Sequence, residues 1–298
     1  MFNFKSNPPF SGKIQQILDN IERLKPLPGT SRRILKVVEN PRATAKQVID
    51  IIKTDQALAA DVIRMANSAS LGYRVPCNSI ETAVVRIGFK RVRALALRSF
   101  ASGPLTQRLS GYRMEEKSLW QHSLATAKYA DLISQLVSYP DPEDAYVAGL
   151  LHDMGKLLLD QYVLDDYQKI IDMMVKEEKP LWEIEERLFG IDHAVIGGLM
   201  AEKWRLPTKL AEGIRFHHMP SLSKRHRVMV AVVHVANALT PPVQAGIPHL
   251  EGKVIGEEAL QILNLDQQKI QRLRERLANS LKDDPLLGKN GSSQDADK

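Results

Sequence analysis

The stretch Lys13–Pro26, with the sequence KIQQILDNIERLKP, carries the pattern that decides the fold class. Its aliphatic residues recur at spacings of three and four, and they are Ile14, Ile17, Leu18, Ile21 and Leu24. This is the spacing of one face of an α-helix, and the run ends where prolines disfavour helical backbone. Similar spacing recurs along most of the chain, and no stretch alternates at period two for long enough to predict a sheet. We therefore predict an all-α protein.

The predicted helices form two groups, separated where residues 102–111 interrupt the apolar pattern. We predict a two-lobed helical bundle, with a tail at residues 1–12, a front lobe at 13–105, a back lobe at 106–285 and a disordered polar tail at 286–298. In the front lobe, Asn78 and Glu81 lie three residues apart before an apolar run and predict a capping box. One helix of the back lobe is predicted near residues 164–176.

Composition limits the classes of function. Lys and Arg number 41, Asp and Glu number 35, and the interleaving of the two signs favours a solvated mixed surface over nucleic-acid binding. No apolar run approaches the roughly 20 residues that span a bilayer, and the start of the chain has no signal-peptide pattern. The single cysteine, Cys77, excludes an intrachain disulfide and a cysteine-based zinc cage. We therefore expect a cytoplasmic protein that binds neither nucleic acid nor a membrane.

The back lobe carries ionisable residues inside apolar helical segments. The stretch 149–159, GLLHDMGKLLL, places His152, Asp153 and Lys156 among leucines, although an unpaired buried charge costs several kcal/mol. Seven of the eight histidines lie between residues 122 and 234. Imidazole and carboxylate are the usual ligands of zinc, iron, manganese and nickel. Five of these histidines, together with Asp153, therefore favour a metal site, although spacing alone does not show that they converge.

The motifs that contain these histidines resemble the HD superfamily of metal-dependent phosphohydrolases, which are all-helical. The resemblance lies in WQHS at 120–123, AGLLHDMGK at 148–156 and HHMP at 217–220. Residues 20–282 as a whole resemble an HDOD protein, the HD-related output domain of bacterial signalling. Those motifs are LPGTSRRIL at 27–35, IIKTDQALAADVIRMANSAS at 51–70, NSIETAVVRIG at 78–88 and GIDHAVIGGLMAEKWRLP at 190–207.

The resemblance to the two-metal HD-GYP branch of the HD superfamily implies a ligand set. One metal is expected on His122, His152 and Asp153, and a second, bridged by Asp153, on His193, His217 and His218. We expect one or two divalent ions, with iron first and manganese, zinc or nickel as alternatives. Asn237 stands where the last HD ligand is normally an aspartate, and a neutral amide oxygen is the weaker ligand. The Gly-Tyr-Pro motif of the HD-GYP branch is absent from HHMPSLSKRHR at 217–227.

Asp153 and Lys156 are the candidate catalytic residues. Lys156 lies one helical turn after His152, so it faces the same side of the helix. It either reaches a substrate phosphate, as in HD hydrolases, or pairs with a carboxylate such as Asp160 or with a carbonyl at a helix end, and the sequence does not separate these two readings. Asp192 is expected to cap a helix or to orient the His193 imidazole, and Glu186 is a second candidate for orienting it.

The resemblance implies two functions from different classes. HDOD proteins are signalling or scaffold modules that have lost HD catalysis, so the leading expectation is a non-catalytic or weakly active bacterial regulatory protein. Its partners would be proteins of a signalling pathway, with a phosphate-containing small molecule as a possible ligand. The alternative is a metal-dependent phosphohydrolase acting on a cyclic dinucleotide, a nucleotide or another phosphate ester. The complete histidine set favours this alternative, whereas Asn237 and the missing Gly-Tyr-Pro motif disfavour it.

Overall fold

A computed structural model of the chain describes residues 11–241 and 254–282. These residues are helical apart from turns and one isolated bridge between Leu109 and Met114, and no strand occurs among them. The prediction of an all-α protein is confirmed. Within the same ranges, no helix is both long and apolar enough to cross a bilayer. The predicted tail at 286–298, most of the tail at 1–12 and His249 fall outside the described residues.

The helices follow one another with short connections. The first five are α1 (Ser11–Glu22), α2 (Gly29–Val38), α3 (Ala45–Ile52), α4 (Gln56–Ala66) and α5 (Ile80–Leu105). The next are α6 (Ser118–Leu136), α7 (Pro142–Leu151), α8 (Lys156–Glu177), α9 (Leu181–Phe189) and α10 (His193–Lys203). The last are α11 (Thr208–Arg215), α12 (Arg227–Leu239), α13 (Glu257–Leu263) and α14 (Gln267–Lys282). Short 3-10 turns occupy Ala69–Leu71 and Pro220–Leu222.

Two predicted helix starts are wrong. The N-cap of α5 is Ser79 and not Asn78, because the Ser79 side chain accepts a hydrogen bond from the backbone N–H of Thr82 in an extended conformation. The helix predicted near 164–176 begins eight residues earlier, at Lys156. Its first turn reads Lys-Leu-Leu-Leu, and an unbroken apolar run has no periodicity from which a start could be read.

Two hydrophobic cores form, and α5 contributes to both. The smaller core joins α2 to α5 around side chains such as Ile52 and Val92. The larger core holds α6 to α14, but it also takes in Leu97 and Leu105 at the end of α5, together with α1. Gly88 lets α5 bend, since its φ of 76° is the left-handed conformation that glycine adopts without strain. The predicted domain boundary after residue 105 stays a prediction.

Close backbone contacts bring three helices together around the ionisable residues. A Cβ atom on Gly149 of α7 would lie 3.0 Å from Cα of Ala127 in α6. A Cβ atom on Gly155 would lie 1.9 Å from the carbonyl oxygen of His193, at the start of α10. No side chain fits at 1.9 Å, so the turn between α7 and α8 can approach α10 this closely only with glycine at position 155.

Candidate metal centre

Four separate segments deliver the six predicted metal ligands to one place. His122 lies within α6, His152 and Asp153 follow the end of α7, and His193 is the first residue of α10. His217 and His218 follow the end of α11. Five of the six are buried, and His218 is half-buried. The structure thus brings together all six residues that the sequence pattern singled out.

Asp153 stands at the centre, and each of its carboxylate oxygens faces a different pair of imidazoles. Its Oδ2 lies 3.2 Å from Nε2 of His152 and 3.6 Å from Nε2 of His122. Its Oδ1 lies 3.2 Å from Nε2 of His193 and 3.8 Å from Nε2 of His217. The His218 ring completes the second group, with Nε2 3.0 Å from Nε2 of His193. Asp153 thus stands between two groups of side chains, each of which could hold a metal ion.

Three buried atoms at this centre have no hydrogen-bond partner among the described residues. They are Nε2 of His152, Oδ1 of Asp153 and Nε2 of His217. Nδ1–H of His152 donates to the Gly149 carbonyl over 2.7 Å, and Nδ1–H of His217 donates to the Ile214 carbonyl over 2.7 Å. With Nδ1–H engaged in this way, each ring places Nε2 towards the carboxylate. Leaving such a buried polar atom unsatisfied costs about 1–3 kcal/mol, and divalent cations on the two sides of Asp153 would satisfy all three.

The ionisation states suit a metal. Burial lowers the pKa of His217 and of His218 well below the usual range, so both stay neutral at pH 7. Burial would raise the pKa of Asp153, but His152 and Lys156 outweigh it and hold that pKa well below its usual range. Burial would likewise lower the pKa of His193, but Glu185 outweighs this and raises it to about 10. The centre therefore offers a carboxylate and the neutral imidazoles of His217 and His218, and a metal on His193 must displace one proton.

The comparison with protein families decides the relationship. The HDOD domain model matches residues 24–220, which is more than half of the chain. The chain belongs to the HDOD family. An uncharacterized protein of Treponema pallidum (strain Nichols) is 28% identical over 223 residues, which are 74% of this chain and 43% of that relative. This HDOD chain thus spans less than half the length of the curated relative that it matches.

Solved structures share the fold of this HDOD chain. An HDOD domain protein of unknown function from Geobacter sulfurreducens is 23% identical, with a TM-score of 0.67 over 90% of this chain and 93% of that chain. A Marinobacter aquaeolei VT8 protein, named provisionally as a signal transduction protein, is 24% identical. Its TM-score is 0.67 over 93% of this chain and 65% of that chain. At these identities the likeness shows the fold alone, so the chemistry of the HDOD chain must be argued from its own residues.

Glu185 is the site residue that the sequence did not reveal. It lies on α9, wholly buried, and its Oε2 accepts hydrogen bonds from the backbone N–H of His193 over 3.0 Å and from Nδ1–H over 2.6 Å. Glu186, the second candidate for this role, is exposed, so that prediction is wrong by one residue. Helical spacing could have identified it, because Glu185 lies on the same buried face of α9 as Leu181 and Leu188.

Lys156 has a partner that neither sequence-based reading named. Its Nζ donates to Oδ2 of Asp153 over 2.9 Å, and its side chain is 2% exposed. The Asp160 carboxylate accepts from the backbone N–H of Tyr112 over 3.0 Å. Asp192 caps α10, as expected, by accepting from the backbone N–H of Val195 over 2.8 Å. In this HDOD chain the lysine is therefore part of the buried charge cluster itself.

Asn237 occupies the last position of the centre, on α12. Its Oδ1 lies 3.0 Å from Nε2 of His122, so the amide oxygen accepts that N–H. The same nitrogen is the nearest His122 atom to Asp153. A metal could bind Nε2 of His122 only if the ring proton moves to Nδ1, which would leave a lone pair on Nε2. Asn237 would offer that metal a neutral oxygen and no charge.

Proposed function

We propose that this HDOD protein is a bacterial regulatory module whose back lobe holds two divalent metal ions in a structural or sensory role. Iron is the first choice, and manganese, zinc and nickel are the alternatives. Catalysis is absent or weak. The observation that carries this proposal is the state of Lys156, which is buried and ion-paired to Asp153, so a substrate phosphate would have to displace that ion pair to reach the ammonium.

The two ion positions follow from the two sides of the central carboxylate. Position one is formed by His122, His152 and Oδ2 of Asp153. Position two is formed by Oδ1 of the same carboxylate and three further rings, which are His193, His217 and His218. A divalent ion at each position would supply positive charge that satisfies the buried acceptors.

The site is more enclosed than substrate access to an active centre would allow. Hydrolysis of a phosphate ester requires the substrate to touch the metals and the group that neutralises the phosphoryl oxygens. His152 and His217 are wholly buried, and the ring of Trp182 stacks on His218 with centroids 5.7 Å apart and planes 16° apart. The ring therefore covers one face of the ligand that retains some exposure. This enclosure favours an ion that stabilises or reports on the fold.

A signalling role sets the remaining expectations. The proposed partners are proteins of a signalling pathway, acting in the cytoplasm, and a phosphate-containing small molecule is the proposed ligand class. The family to which the chain belongs supports this assignment. The chain carries charges of both signs, 41 basic and 35 acidic residues, which supports a protein partner over a nucleic acid.

A metal-dependent phosphohydrolase remains the second candidate, because one specific feature favours it. The full set of five histidines around a shared aspartate is the donor set from which two-metal hydrolases activate water. Its substrate would be a cyclic dinucleotide, a nucleotide or another phosphate ester. With Lys156 held on Asp153, such an enzyme would need to open the site before each turnover.

Metal analysis combined with hydrolysis assays separates the two candidates. Wild type, Asp153→Asn and the surface control Asp172→Asn are purified, loaded with ferrous or manganous ion, and analysed for metal by mass spectrometry. The proposal predicts about two ions in wild type and in the control, a loss in Asp153→Asn, and little hydrolysis of cyclic-di-GMP by any of them. Robust hydrolysis by wild type and by the control, but not by Asp153→Asn, would establish the enzyme and overturn the regulatory proposal.

A further inference from the structure

One buried chain of hydrogen bonds leads from the connection between α5 and α6 to the metal centre. Tyr112 lies in that connection, residues 106–117, and its hydroxyl donates to Oε1 of Glu185 over 2.7 Å. The other oxygen of Glu185 accepts from Nδ1–H of His193, whose Nε2 lies 3.2 Å from Oδ1 of Asp153. Tyr112, Glu185 and His193 are each at most 1% exposed, so water does not compete for these bonds.

The connection itself is fixed to α8 at one point. A Cβ atom on Gly111 would lie 1.9 Å from the carbonyl oxygen of Asp160, so only glycine allows this approach. The adjacent backbone N–H of Tyr112 donates to Oδ1 of Asp160. Leu109 and Met114 exchange backbone hydrogen bonds of 3.0 and 2.9 Å, which close the turn between them. The backbone of Tyr112 is thereby held where its hydroxyl reaches Glu185.

The histidines of the centre are not all supported in the same way. Nδ1–H of His152 and Nδ1–H of His217 donate to carbonyl oxygens three residues earlier in their own segments. These supports belong to helix ends and are independent of the α5–α6 connection. The corresponding N–H of His193 is supported by a side chain, and that side chain is in turn held by Tyr112.

We propose that Glu185 and Tyr112 are positioning residues for ion position two, and that the α5–α6 connection adjusts the affinity of that position through them. This inference rests on the proposed two-ion site. The carboxylate holds the His193 ring with Nε2 towards the ion and increases its basicity, and the phenol holds the carboxylate. A displacement of residues 106–117 would release His193 and leave position one intact.

The test measures the binding of cobalt(II) to the full chain, with wild type, Glu185→Gln and Tyr112→Phe compared. Tyr162→Phe is the matched control, because it removes a phenol that accepts a hydrogen bond from Asn20 on α1, away from the site. We expect one of two ions to bind about 10–100-fold more weakly in Glu185→Gln and about tenfold more weakly in Tyr112→Phe. The visible absorption bands of that ion should shift in both variants and not in the control.

The outcomes separate this inference from the two-ion proposal. Two ions bound by Glu185→Gln and Tyr112→Phe with wild-type affinity and wild-type spectra would overturn the positioning role and leave the two-ion site standing. Equal weakening of both ions would also overturn it, because general loosening of the fold affects both positions. Wild type that binds no cobalt would overturn the two-ion site and the inference together. Tyr112→Phe keeps the packing of the ring, so this variant tests the hydroxyl even if Glu185→Gln fails to fold.

Discussion

Replacement of Lys156 by methionine should destabilise the metal-free protein far more than the metal-loaded protein. The ammonium lies 2.9 Å from Oδ2 of Asp153, and both side chains are 2% exposed. Without metal, Lys156→Met leaves the Asp153 carboxylate buried with a major cationic partner removed. With metal, the same carboxylate would still face divalent charge. The variant therefore measures directly whether ions share Asp153 with the lysine.

The magnitudes follow from the burial of the pair. Removing one partner of a buried ion pair costs about 3–5 kcal/mol, which is the expected loss in unfolding free energy for metal-free Lys156→Met. In the metal-loaded form, the loss should fall to about 1 kcal/mol, the net value of one hydrogen bond. The difference of about 2–4 kcal/mol must reappear as tighter metal binding by the variant, by a factor of about 30 to about 900.

Urea unfolding followed by circular dichroism gives both numbers, in chelator and in excess manganese, and competition with a fluorescent chelator gives the affinity. Lys176→Met is the matched control, because Lys176 is an exposed residue near the other end of α8. This control should change the unfolding free energy by less than about 0.5 kcal/mol in both conditions. Equal destabilisation of Lys156→Met with and without metal, or weaker metal binding by it, would refute the assignment of Asp153 as a shared ligand.

Three further perturbations test other parts of the structure. Asn237→Asp should raise the affinity for the ion on His122 roughly tenfold in the chelator competition, since it adds a charged oxygen beside that ring. An unchanged affinity would show that residue 237 is not part of the site. Gly155→Ala should lower the unfolding free energy in urea by about 1–3 kcal/mol or more, and should lower the metal content, because its Cβ would meet the His193 carbonyl oxygen at 1.9 Å. A variant with wild-type stability and full metal content would contradict this packing. Burial lowers the pKa of Lys128 from 10.5 to about 8, so the unfolded chain binds more protons between these pH values and stability should rise with pH there. Because Lys128 is only half-buried, wild type should gain only about 1 kcal/mol relative to Lys128→Met between pH 7 and pH 10, and parallel pH profiles would count against the buried amine.

Local chemistry explains what the sequence predicted well. Helical periodicity depends on near neighbours in the chain, so the all-α class could be predicted from stretches such as residues 13–26. The N-cap at Asp192 has an equally local cause, one side-chain oxygen that accepts a backbone N–H three residues later. The six candidate ligands could be chosen because their motifs resemble those of a family. Their convergence on one centre required the packing of α6, α7, α10 and α11.

Tertiary contacts explain what the sequence did not reveal. Glu185 and Glu186 are identical in chemistry and adjacent, and only the packing of α9 decides which carboxylate reaches His193. The choice of Lys156 between two aspartates was equally undetermined, because Asp153 and Asp160 lie three and four residues from it on opposite sides. Tyr112 lies 73 residues from Glu185 along the chain, so no local sequence pattern could predict their hydrogen bond.

Anomalous X-ray diffraction from crystals of the metal-loaded chain, collected on both sides of the iron absorption edge, tests the two-ion centre most directly. The predicted result is two anomalous peaks, one beside each carboxylate oxygen of Asp153. The first should lie within about 2.0–2.3 Å of Nε2 of His152, and the second within the same distance of Nε2 of His193 and of His217. A map of fully loaded protein with no peak between these rings, and with the rings joined to Asp153 by hydrogen bonds alone, would contradict the proposed metal centre.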